Sequence, residues 1–270
     1  MPLEKCRVIV NNQIGSDMYQ MEFISPEMAA RCKPGQFIHV KVNTLNAPLL
    51  RRPLSIYDVD KKLGSIILLY KVVGQGTELL TRIRSKEYLD VMGPLGQGFN
   101  TKPSGRRIVL IGGGVGIAPL VYLARVLKEK NYQIKVLHGA DSRRNLVAAE
   151  KLQEIGAEFL AATDDGSAGF KGFVTDLLIK KINPRQVDYI YACGPEAMMA
   201  AAAEYATANR IPGQVSLEEH MACGVGACLG CARKLKSSDE NYVKICKDGP
   251  VFDINEVEFQ KYRGCPDEKR

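Results

Sequence analysis

Four cysteines toward the end of the chain have a spacing that could hold metal. They are Cys223, Cys228, Cys231 and Cys246, and they form the pattern C-x4-C-x2-C-x14-C. Four thiolates can hold two irons bridged by two sulfides, and this order of spacings is that of plant-type 2Fe–2S sites. The sequence therefore predicts a 2Fe–2S cluster with these four residues as metal ligands.

Glycines separate the first three cysteines. Gly224, Gly226 and Gly230 lie between them. A short loop around a compact anionic core needs close backbone approach and positive φ angles, which glycine adopts at little cost. We expect these three glycines to supply such turns and to free backbone N–H groups that hydrogen-bond the sulfurs.

Two other uses of four cysteines remain open. A structural zinc site usually has two C-x2-C pairs, whereas this segment has one. A zinc-bearing interaction module without redox function would be colourless. Disulfides need an oxidising compartment, and the first residues do not resemble a signal peptide.

Composition limits the classes of function. The chain has 270 residues, which is enough for one large or two medium domains with a large buried core. Its net charge is +7. Its basic residues are scattered, so nucleic-acid binding is not predicted, and anionic cofactors or an acidic partner suit the charge better. No apolar run is long enough to span a membrane, so we expect a cytoplasmic protein.

The other cysteines and the histidines have less specific contexts. Cys6 and Cys32 are expected to be inert, and Cys265 lies far from the cysteine loop in sequence. We expect His39 and His138 to be packing residues, whereas His220 precedes the first cluster cysteine closely enough to pack on the cluster. The full set is Cys6, Cys32, Cys193, Cys265, His39, His138 and His220.

The first hundred residues alternate short apolar runs with turns. This pattern predicts a small antiparallel barrel and a short helix over residues 77–84 with Thr77 as its cap. The predicted strands cover residues 7–11, 19–23, 36–42, 66–73 and 89–92.

Two turns of this barrel could bind a flavin. In the first, Arg52 and Ser55 flank Pro53 and Leu54 on an extended segment, where a guanidinium and a hydroxyl can hold a pyrophosphate and a ring edge. In the second, Gly76 and Thr77 begin a helix, whose N-terminal amides favour phosphate. Together these turns predict a flavin site.

Residues 101–215 alternate strands and helices in the manner of a doubly wound parallel sheet. A buried strand at 107–111 leads through Gly112, Gly113, Gly114 and Gly116 into a helix over 120–130. Strand, glycine turn and helix together predict a dinucleotide site. Further predicted strands cover 134–138, 158–162 and 187–192, and further helices cover 146–154, 174–181 and 197–209.

Two other strand ends should face the same ligand. Cys193, Gly194 and Pro195 follow the last of these strands, and we expect Cys193 to pack beside a nicotinamide rather than act as a nucleophile. Residues 141–144 read Asp-Ser-Arg-Arg, which offers a carboxylate for a 2′-hydroxyl and arginines for a 2′-phosphate. NADH and NADPH therefore both remain open, and Asp141 could instead cap a helix.

The order of these motifs resembles the ferredoxin-NADP reductase superfamily. The cysteine segment narrows the resemblance to the electron-transfer subunits of dihydroorotate dehydrogenase B. The expected fold is a flavin-binding β-barrel over 1–100, an NAD-binding α/β domain over 101–212 and a 2Fe–2S domain over 213–270. One departure is His220, where the family leads us to expect arginine.

The resemblance implies three cofactors: FAD, a 2Fe–2S cluster and NAD(H). The implied FAD-binding residues are Arg52, Pro53, Leu54, Ser55, Leu69, Tyr70, Lys71, Gly76 and Thr77. A hydride carries two electrons, whereas the cluster takes one at a time. A flavin between them would convert two-electron transfer into one-electron transfer.

The resemblance also implies a partner. The chain shows no general base for oxidising dihydroorotate, so no catalytic residue is assigned, and an FMN-containing catalytic subunit is expected, in a heterotetramer that serves pyrimidine biosynthesis. The alternative is the flavin and iron–sulfur subunit of a ferredoxin- or sulfide-linked NAD(P)H oxidoreductase.

Overall fold

A computed structural model describes residues 3–42, 48–236 and 242–259, so the prediction about Cys265 falls outside the described residues. The helices are α1 Pro26–Arg31, α2 Gln75–Thr81, α3 Ala118–Glu129, α4 Ala149–Glu154, α5 Val174–Lys181 and α6 Glu196–Ala208. The strands are β1 Leu3–Gln13, β2 Met18–Ile24, β3 Phe37–Lys41, β4 Arg52–Asp60, β5 Ser65–Lys71, β6 Tyr88–Leu95, β7 Arg107–Gly113, β8 Gln133–Ala140, β9 Glu158–Thr163, β10 Phe170–Lys171, β11 Tyr189–Cys193, β12 Gly213–Ser216, β13 Ala232–Lys234, β14 Tyr242–Lys244 and β15 Val251–Asp253.

Among the described residues, six antiparallel strands close the predicted barrel in the order β1-β2-β5-β4-β3-β6. Alternation along each strand determines what the barrel encloses. Ile38 and Val40 of β3 point into a core that they share with Ile56 and Leu68. Phe37 of the same strand packs instead with the α/β sheet, so one face of β3 is turned toward the rest of the chain.

The second sheet, as far as the structure describes it, has seven strands in the order β10-β9-β8-β7-β11-β12-β15. All neighbouring strands pair in parallel except β12 and β15, which are antiparallel. The buried runs of β7 and β11 are apolar because helices cover both faces. The carboxyl ends of β7, β8 and β11 therefore meet at one edge, where ligands bind in such folds.

The segment predicted to carry the cluster begins and ends in this sheet. Its first strand, β12, pairs with β11, and β15 returns to pair with β12. Between them, β13 and β14 form a small antiparallel pair. The return also contacts the barrel, since the amide of Gln97 donates to the carbonyl of Gly249 over 2.6 Å.

Helix α3 joins the barrel to the α/β sheet. Arg125 on this helix donates to the Asp58 carboxylate and to the carbonyl of Val59, each over 2.8 Å, and both acceptors are on β4. Tyr122 donates to the carbonyl of Cys32 over 3.1 Å. These contacts fix the glycine turn before α3 relative to the strands predicted to bind flavin.

Some local predictions were wrong in detail. Helix α2 begins at Gln75 with Gly74 as its N-cap, so Thr77 is not the N-cap residue but lies in the first turn, where its hydroxyl accepts from the Gly74 amide. Helix α4 begins at Ala149 rather than at residue 146. Residues 52–60 form the full strand β4, although Pro53 lacks an N–H donor. None of the helices in the described ranges has the length and apolar character needed to cross a membrane.

His138 is a fully buried residue of β8. Its Nε2 lies 3.1 Å from the carbonyl oxygen of Gly114. Burial lowers the pKa of His138 to about 4 from an ordinary 6.5, so the ring is neutral near pH 7 and donates from Nε2. The side chain therefore holds the glycine turn in place from beneath.

The low pKa of His138 predicts a loss of stability in mild acid. Between pH 6.5 and about 4 the unfolded chain takes up a proton that the folded chain excludes, so stability falls as the pH falls. From pH 7 to 5.5 this residue should cost roughly 1 kcal/mol. Urea unfolding at both pH values should show a smaller loss for His138→Gln than for the wild-type chain. The exposed His220→Gln variant is the control, and equal losses in all three proteins would contradict the prediction.

Arg233 of β13 joins the cysteine segment to the α/β sheet. Its side chain, 9% exposed, pairs with Glu196 at the start of α6 and with Glu219, whose Oε1 lies 3.2 Å away. It also donates to the carbonyl of Glu258 over 3.2 Å. A largely buried cation thus connects three separate parts of the chain.

Replacing Arg233 with methionine should destabilise this segment. The two carboxylates would lose the Arg233 cation, at a cost of roughly 2–3 kcal/mol, below that of a fully buried pair because both keep some exposure. Hydrogen exchange of the 213–236 amides should accelerate. Arg82→Met breaks the exposed Arg82–Glu78 pair and should change stability by less than about 0.5 kcal/mol. Similar effects of the two variants would contradict the assigned role of Arg233.

Candidate functional site

A cavity of about 450 Å³ lies between the barrel and the α/β sheet, and we call it the barrel cavity. Its volume is within the range of small-molecule sites. Strands β4 and β5 and the start of α2 line one side, and residues that precede the first cluster cysteine line the other. The predicted flavin residues in its wall are Arg52, Pro53, Leu54, Ser55, Leu69, Tyr70, Lys71 and Thr77.

Gly76 supports this wall without lining it. A side chain at Gly76 would place a Cβ 2.3 Å from the Arg52 Nε atom, so the guanidinium lies directly over the glycine. The Thr77 hydroxyl accepts from the amides of Val73 and Gly74 over 2.9 and 3.3 Å. The turn before α2 is therefore held in one conformation, with the Arg52 guanidinium beside the first turn of the helix. A guanidinium and helix N-terminal amides are groups that bind a pyrophosphate.

A second cavity, of about 410 Å³, lies at the carboxyl ends of the parallel strands, and we call it the glycine-loop cavity. Gly113, Gly114 and Pro195 line it. Gly114 has φ +54 and no atom within 4 Å of a Cβ built on it, so its missing side chain leaves space for a ligand. Lys71 lines both cavities, which are therefore adjacent.

The other predicted nucleotide residues pack the loop instead. A Cβ on Gly112 would lie 2.6 Å from Ile117, and one on Gly116 would lie 2.5 Å from the Cys193 carbonyl oxygen. Gly194 has φ +150 and approaches the amide of Gly113. These glycines allow two strand ends to touch, and the contact brings residues 193–195 against the glycine turn.

Asp141 lines the glycine-loop cavity immediately after β8. Its carboxylate accepts from the Asn145 side-chain amide over 2.8 and 3.1 Å, and Asn145 in turn accepts from the amide of Ser16. Asp141 does not cap a helix, since Ser142 precedes the short turn that follows. Arg143 and Arg144 are not part of the cavity lining.

The structure adds a carboxyl group that the sequence analysis missed. Glu218 lines the barrel cavity, where it is accessible to the cavity space yet surrounded by protein, and this desolvation raises its pKa. Ser216 and Glu218 lie beside Cys193, whose thiol is fully buried with a pKa raised by that burial. A high thiol pKa agrees with the prediction that Cys193 is not a nucleophile. In the sequence, the only indication of this carboxyl group was the pair of acidic residues at 218–219, just before the cysteines.

Residues 223–231, which we call the cysteine loop, direct backbone amides at sulfur. The Cys223 sulfur accepts from the amides of Val225, Ala227 and Cys228 over 3.3–3.4 Å. The Gly226 amide donates to the Cys246 sulfur over 3.1 Å. Amides that are neighbours in the loop therefore donate to sulfurs of cysteines that are far apart in sequence. This arrangement suits a compact anionic core.

The four cysteines interact in two pairs. The Cys228 amide donates to the Cys223 sulfur over 3.4 Å, and the Cys246 amide donates to the Cys231 sulfur over 3.5 Å. Burial opposes ionisation of Cys223, but the backbone amides lower its pKa to about 6, whereas burial and the neighbouring Cys231 raise that of Cys246 to about 12. Within the described ranges, no three His, Cys, Asp or Glu side chains gather closely enough for a single metal ion.

One expectation about this region needs correction. Gly224 and Gly226 have φ +70 and +79 as expected, but Gly230 does not adopt a positive φ, and Leu229 does so instead with φ 61. His220 lines the barrel cavity, and its packing on the cluster stays a prediction.

His39 lies between the barrel and the cysteine loop. It is fully buried on β3, where it is opposite Pro53 of β4 and Met92 of β6. Burial, with Arg51 nearby, lowers the pKa of His39 to about 4. A Cβ on Gly224 would lie 2.5 Å from the His39 Nδ1 atom, so the loop backbone rests on the ring.

Comparisons with known proteins agree with this arrangement. The family model described as the iron-sulfur cluster binding domain of dihydroorotate dehydrogenase B matches residues 218–258. Those of the oxidoreductase NAD-binding domain and the oxidoreductase FAD-binding domain match residues 110–204 and 5–99. The chain thus carries the domains that bind FAD, NAD and an iron–sulfur cluster.

Relatives and a solved structure extend the likeness to almost the whole chain. An electron transfer subunit of dihydroorotate dehydrogenase B (NAD(+)) from Desulforamulus reducens is 40% identical, over 91% of this chain and 94% of that protein. One from Bacillus caldolyticus is also 40% identical, over 94% and 98%. A solved NADH-dependent reduced ferredoxin-NADP oxidoreductase, studied for flavin-based electron bifurcation, matches with TM-score 0.83 and 31% identity over 94% of this chain and 90% of that one. The chain therefore belongs to the family of electron transfer subunits of dihydroorotate dehydrogenase B (NAD(+)).

Proposed function

We propose that this chain carries electrons between NAD(H), FAD and a 2Fe–2S cluster, and exchanges them with the FMN of a dihydroorotate dehydrogenase catalytic subunit in pyrimidine biosynthesis. When bound, the nicotinamide supplies a hydride, the cluster supplies single electrons, and the flavin exchanges both. The residues of this chain would hold the three groups in order.

The continuous order of the three sites is the observation that supports this proposal. Lys71 lines both cavities, so a nucleotide and a flavin would be neighbours. The barrel cavity is then bounded by residues 216–221, and Cys223 follows two residues later. Within the described part of the chain, Ala222 alone separates the lining of the barrel cavity from Cys223.

Residue roles follow from this order. We propose that the guanidinium of Arg52, with the α2 amides over Gly76 and Thr77, holds the FAD pyrophosphate. The Gly112–Gly116 turn, with Cys193, Gly194 and Pro195, would hold NAD(H). Cys223, Cys228, Cys231 and Cys246 would be the ligands of the two irons. The division into domains at residues 100 and 212 is part of the same proposal, as is the cytoplasmic location.

The lining of the glycine-loop cavity favours NADH over NADPH. Asp141 lines the cavity, and Arg143 and Arg144 do not. A carboxylate accepts a hydrogen bond from a ribose 2′-hydroxyl and repels a 2′-phosphate. The names of the relatives, which specify NAD(+), support the same choice.

We further propose that the cysteine loop faces the catalytic partner in a heterotetramer. Cys228 is exposed, and the apolar side chains of Val225 and Leu229 beside it are 38% and 63% exposed. Exposed apolar residues around a redox centre provide contact area for a partner. The +7 net charge of the chain favours an acidic surface on that partner.

A second candidate is a subunit that exchanges electrons with ferredoxin. The solved NADH-dependent reduced ferredoxin-NADP oxidoreductase that matches this chain supports it. The acceptor separates the two candidates. The dihydroorotate proposal requires NAD-dependent orotate formation when the chain is mixed with an FMN-containing catalytic subunit. NADH-dependent reduction of ferredoxin without that activity would favour the second candidate.

Replacing Cys228 with serine should separate two half-reactions. The variant should lose the visible absorption of the cluster, because one ligand is missing, but keep most FAD reduction by NADH, because neither cavity includes Cys228. Anaerobic titration with NADH, followed by visible and EPR spectra, measures both. Cys32→Ala removes a buried thiol of the barrel core and should preserve both signals. Loss of FAD reduction in Cys228→Ser would contradict the proposed order.

Two glycine substitutions should each weaken the binding of a different cofactor. Gly76→Ala would displace the Arg52 guanidinium and should weaken FAD binding by about tenfold or more, about 1.4 kcal/mol. Gly114→Ala would occupy the space left for the nucleotide and should raise KM for NADH by a similar factor while FAD content is unchanged.

Flavin content by absorbance and steady-state kinetics with an artificial acceptor measure the two effects. FAD loss in Gly114→Ala with normal FAD content in Gly76→Ala would mean that the two cavities have been assigned to the wrong ligands.

A further inference from the structure

His39 is a buried polar residue whose ring nitrogens have no hydrogen-bond partner in the described part of the chain. Its residue exposure is 0%, and both Nδ1 and Nε2 lack a partner. The Arg51 backbone faces the ring and opposes the fall in its pKa, but it is outside hydrogen-bond geometry. A buried donor without an acceptor costs about 1–3 kcal/mol, and an apolar side chain in this position would avoid that cost.

The direction of the ring indicates where the missing acceptor lies. Side chains alternate along β3, and Ile38 and Val40 point into the barrel. His39 therefore points outward with Phe37, and their rings meet edge to face at 6.5 Å. Phe37 lines the barrel cavity, so His39 is on the same face, further along the strand toward the cysteine loop.

The group that the ring meets there is the backbone of Gly224. A Cβ on this glycine would lie 2.5 Å from Nδ1, 3.1 Å from Cε1 and 3.3 Å from Cγ of His39. Gly224 directly follows Cys223, whose sulfur already accepts three backbone amides. The unsatisfied face of the ring is thus turned toward a part of the loop built to surround negatively charged sulfur.

We propose that His39 donates a hydrogen bond from the flavin-binding barrel to a sulfur atom at the Cys223 end of the iron–sulfur centre. This inference rests on the proposed cluster ligands. A neutral imidazole carries one N–H, and a hydrogen bond to cluster sulfur stabilises the reduced, more negative state and raises the reduction potential. His39 is therefore a positioning residue that joins the flavin side of the chain to the cluster.

The test compares two substitutions at His39 in the full-length chain with FAD and cluster bound. His39→Leu fills the site without a donor, and His39→Asn places an N–H near the position of Nδ1. Met92→Leu is the control, since Met92 is the cross-strand neighbour of His39 and its change alters packing alone. EPR-monitored titration gives the midpoint potential of the cluster, and pulsed EPR after exchange into D₂O detects exchangeable protons near it.

We expect His39→Leu to disfavour one-electron reduction of the cluster about tenfold, which is a shift of about 59 mV to lower potential, and to lose an exchangeable-proton coupling. His39→Asn should restore most of both, and Met92→Leu should match the wild-type chain. An unchanged potential and coupling in His39→Leu would overturn the proposal.

If His39→Leu retains no iron, His39→Asn decides the question. Iron content and potential near the wild-type values would support the proposal, and loss of iron or a lowered potential would overturn it. A wild-type chain without an iron–sulfur signal would instead overturn the proposed function, so the two failures can be told apart.

Discussion

The antiparallel pairing of β12 with β15 is the constraint on which the site depends. Because the chain leaves the sheet after Ser216 and returns at Val251 on the neighbouring strand, both ends of the intervening segment are held at one sheet edge. The hydrogen bond from Gln97 to Gly249 ties the same return to the barrel. The residues that lead to the cysteine loop therefore form a wall of the barrel cavity, and the loop itself contacts the barrel where Gly224 meets His39.

Close backbone contact at this junction explains why glycine serves two different purposes in the site. Gly116 lets the glycine turn touch the Cys193 carbonyl, so protein atoms fill the space that a side chain would take. At Gly114 that space is open, so a ligand can occupy it. His138 connects the two by holding the Gly114 carbonyl from below. A sequence pattern of glycines cannot separate these purposes, because both look alike until the neighbouring strands are in place.

The parts that the sequence predicted well are those set by local patterns. Cysteine spacing, alternation in the barrel strands and the strand, glycine turn and helix order all depend on neighbouring residues. The cap of α2 was misjudged because Thr77 bonds backward to the amides of Val73 and Gly74, a choice that the residue type leaves open. Glu218 and His39 were underestimated because their surroundings come from distant segments. Glu218 meets Cys193 only once β12 is paired, and His39 meets Gly224 only once the cysteine loop has folded onto the barrel.

The two ends of the cysteine segment have different surroundings, and the difference suits a path for electrons. Cys231 and Cys246 are 3% and 2% exposed and pack within the core of the α/β sheet, whereas Cys228 is exposed. Hydrogen bonds and burial both tune the charge that a cluster can accept. Under the proposed ligation, the buried pair and the amide-rich Cys223 sulfur would hold the charged centre on its protein side, and Cys228 would leave one edge of it open to a partner. An exposed edge shortens the distance over which electrons leave the chain, so this asymmetry suits a carrier.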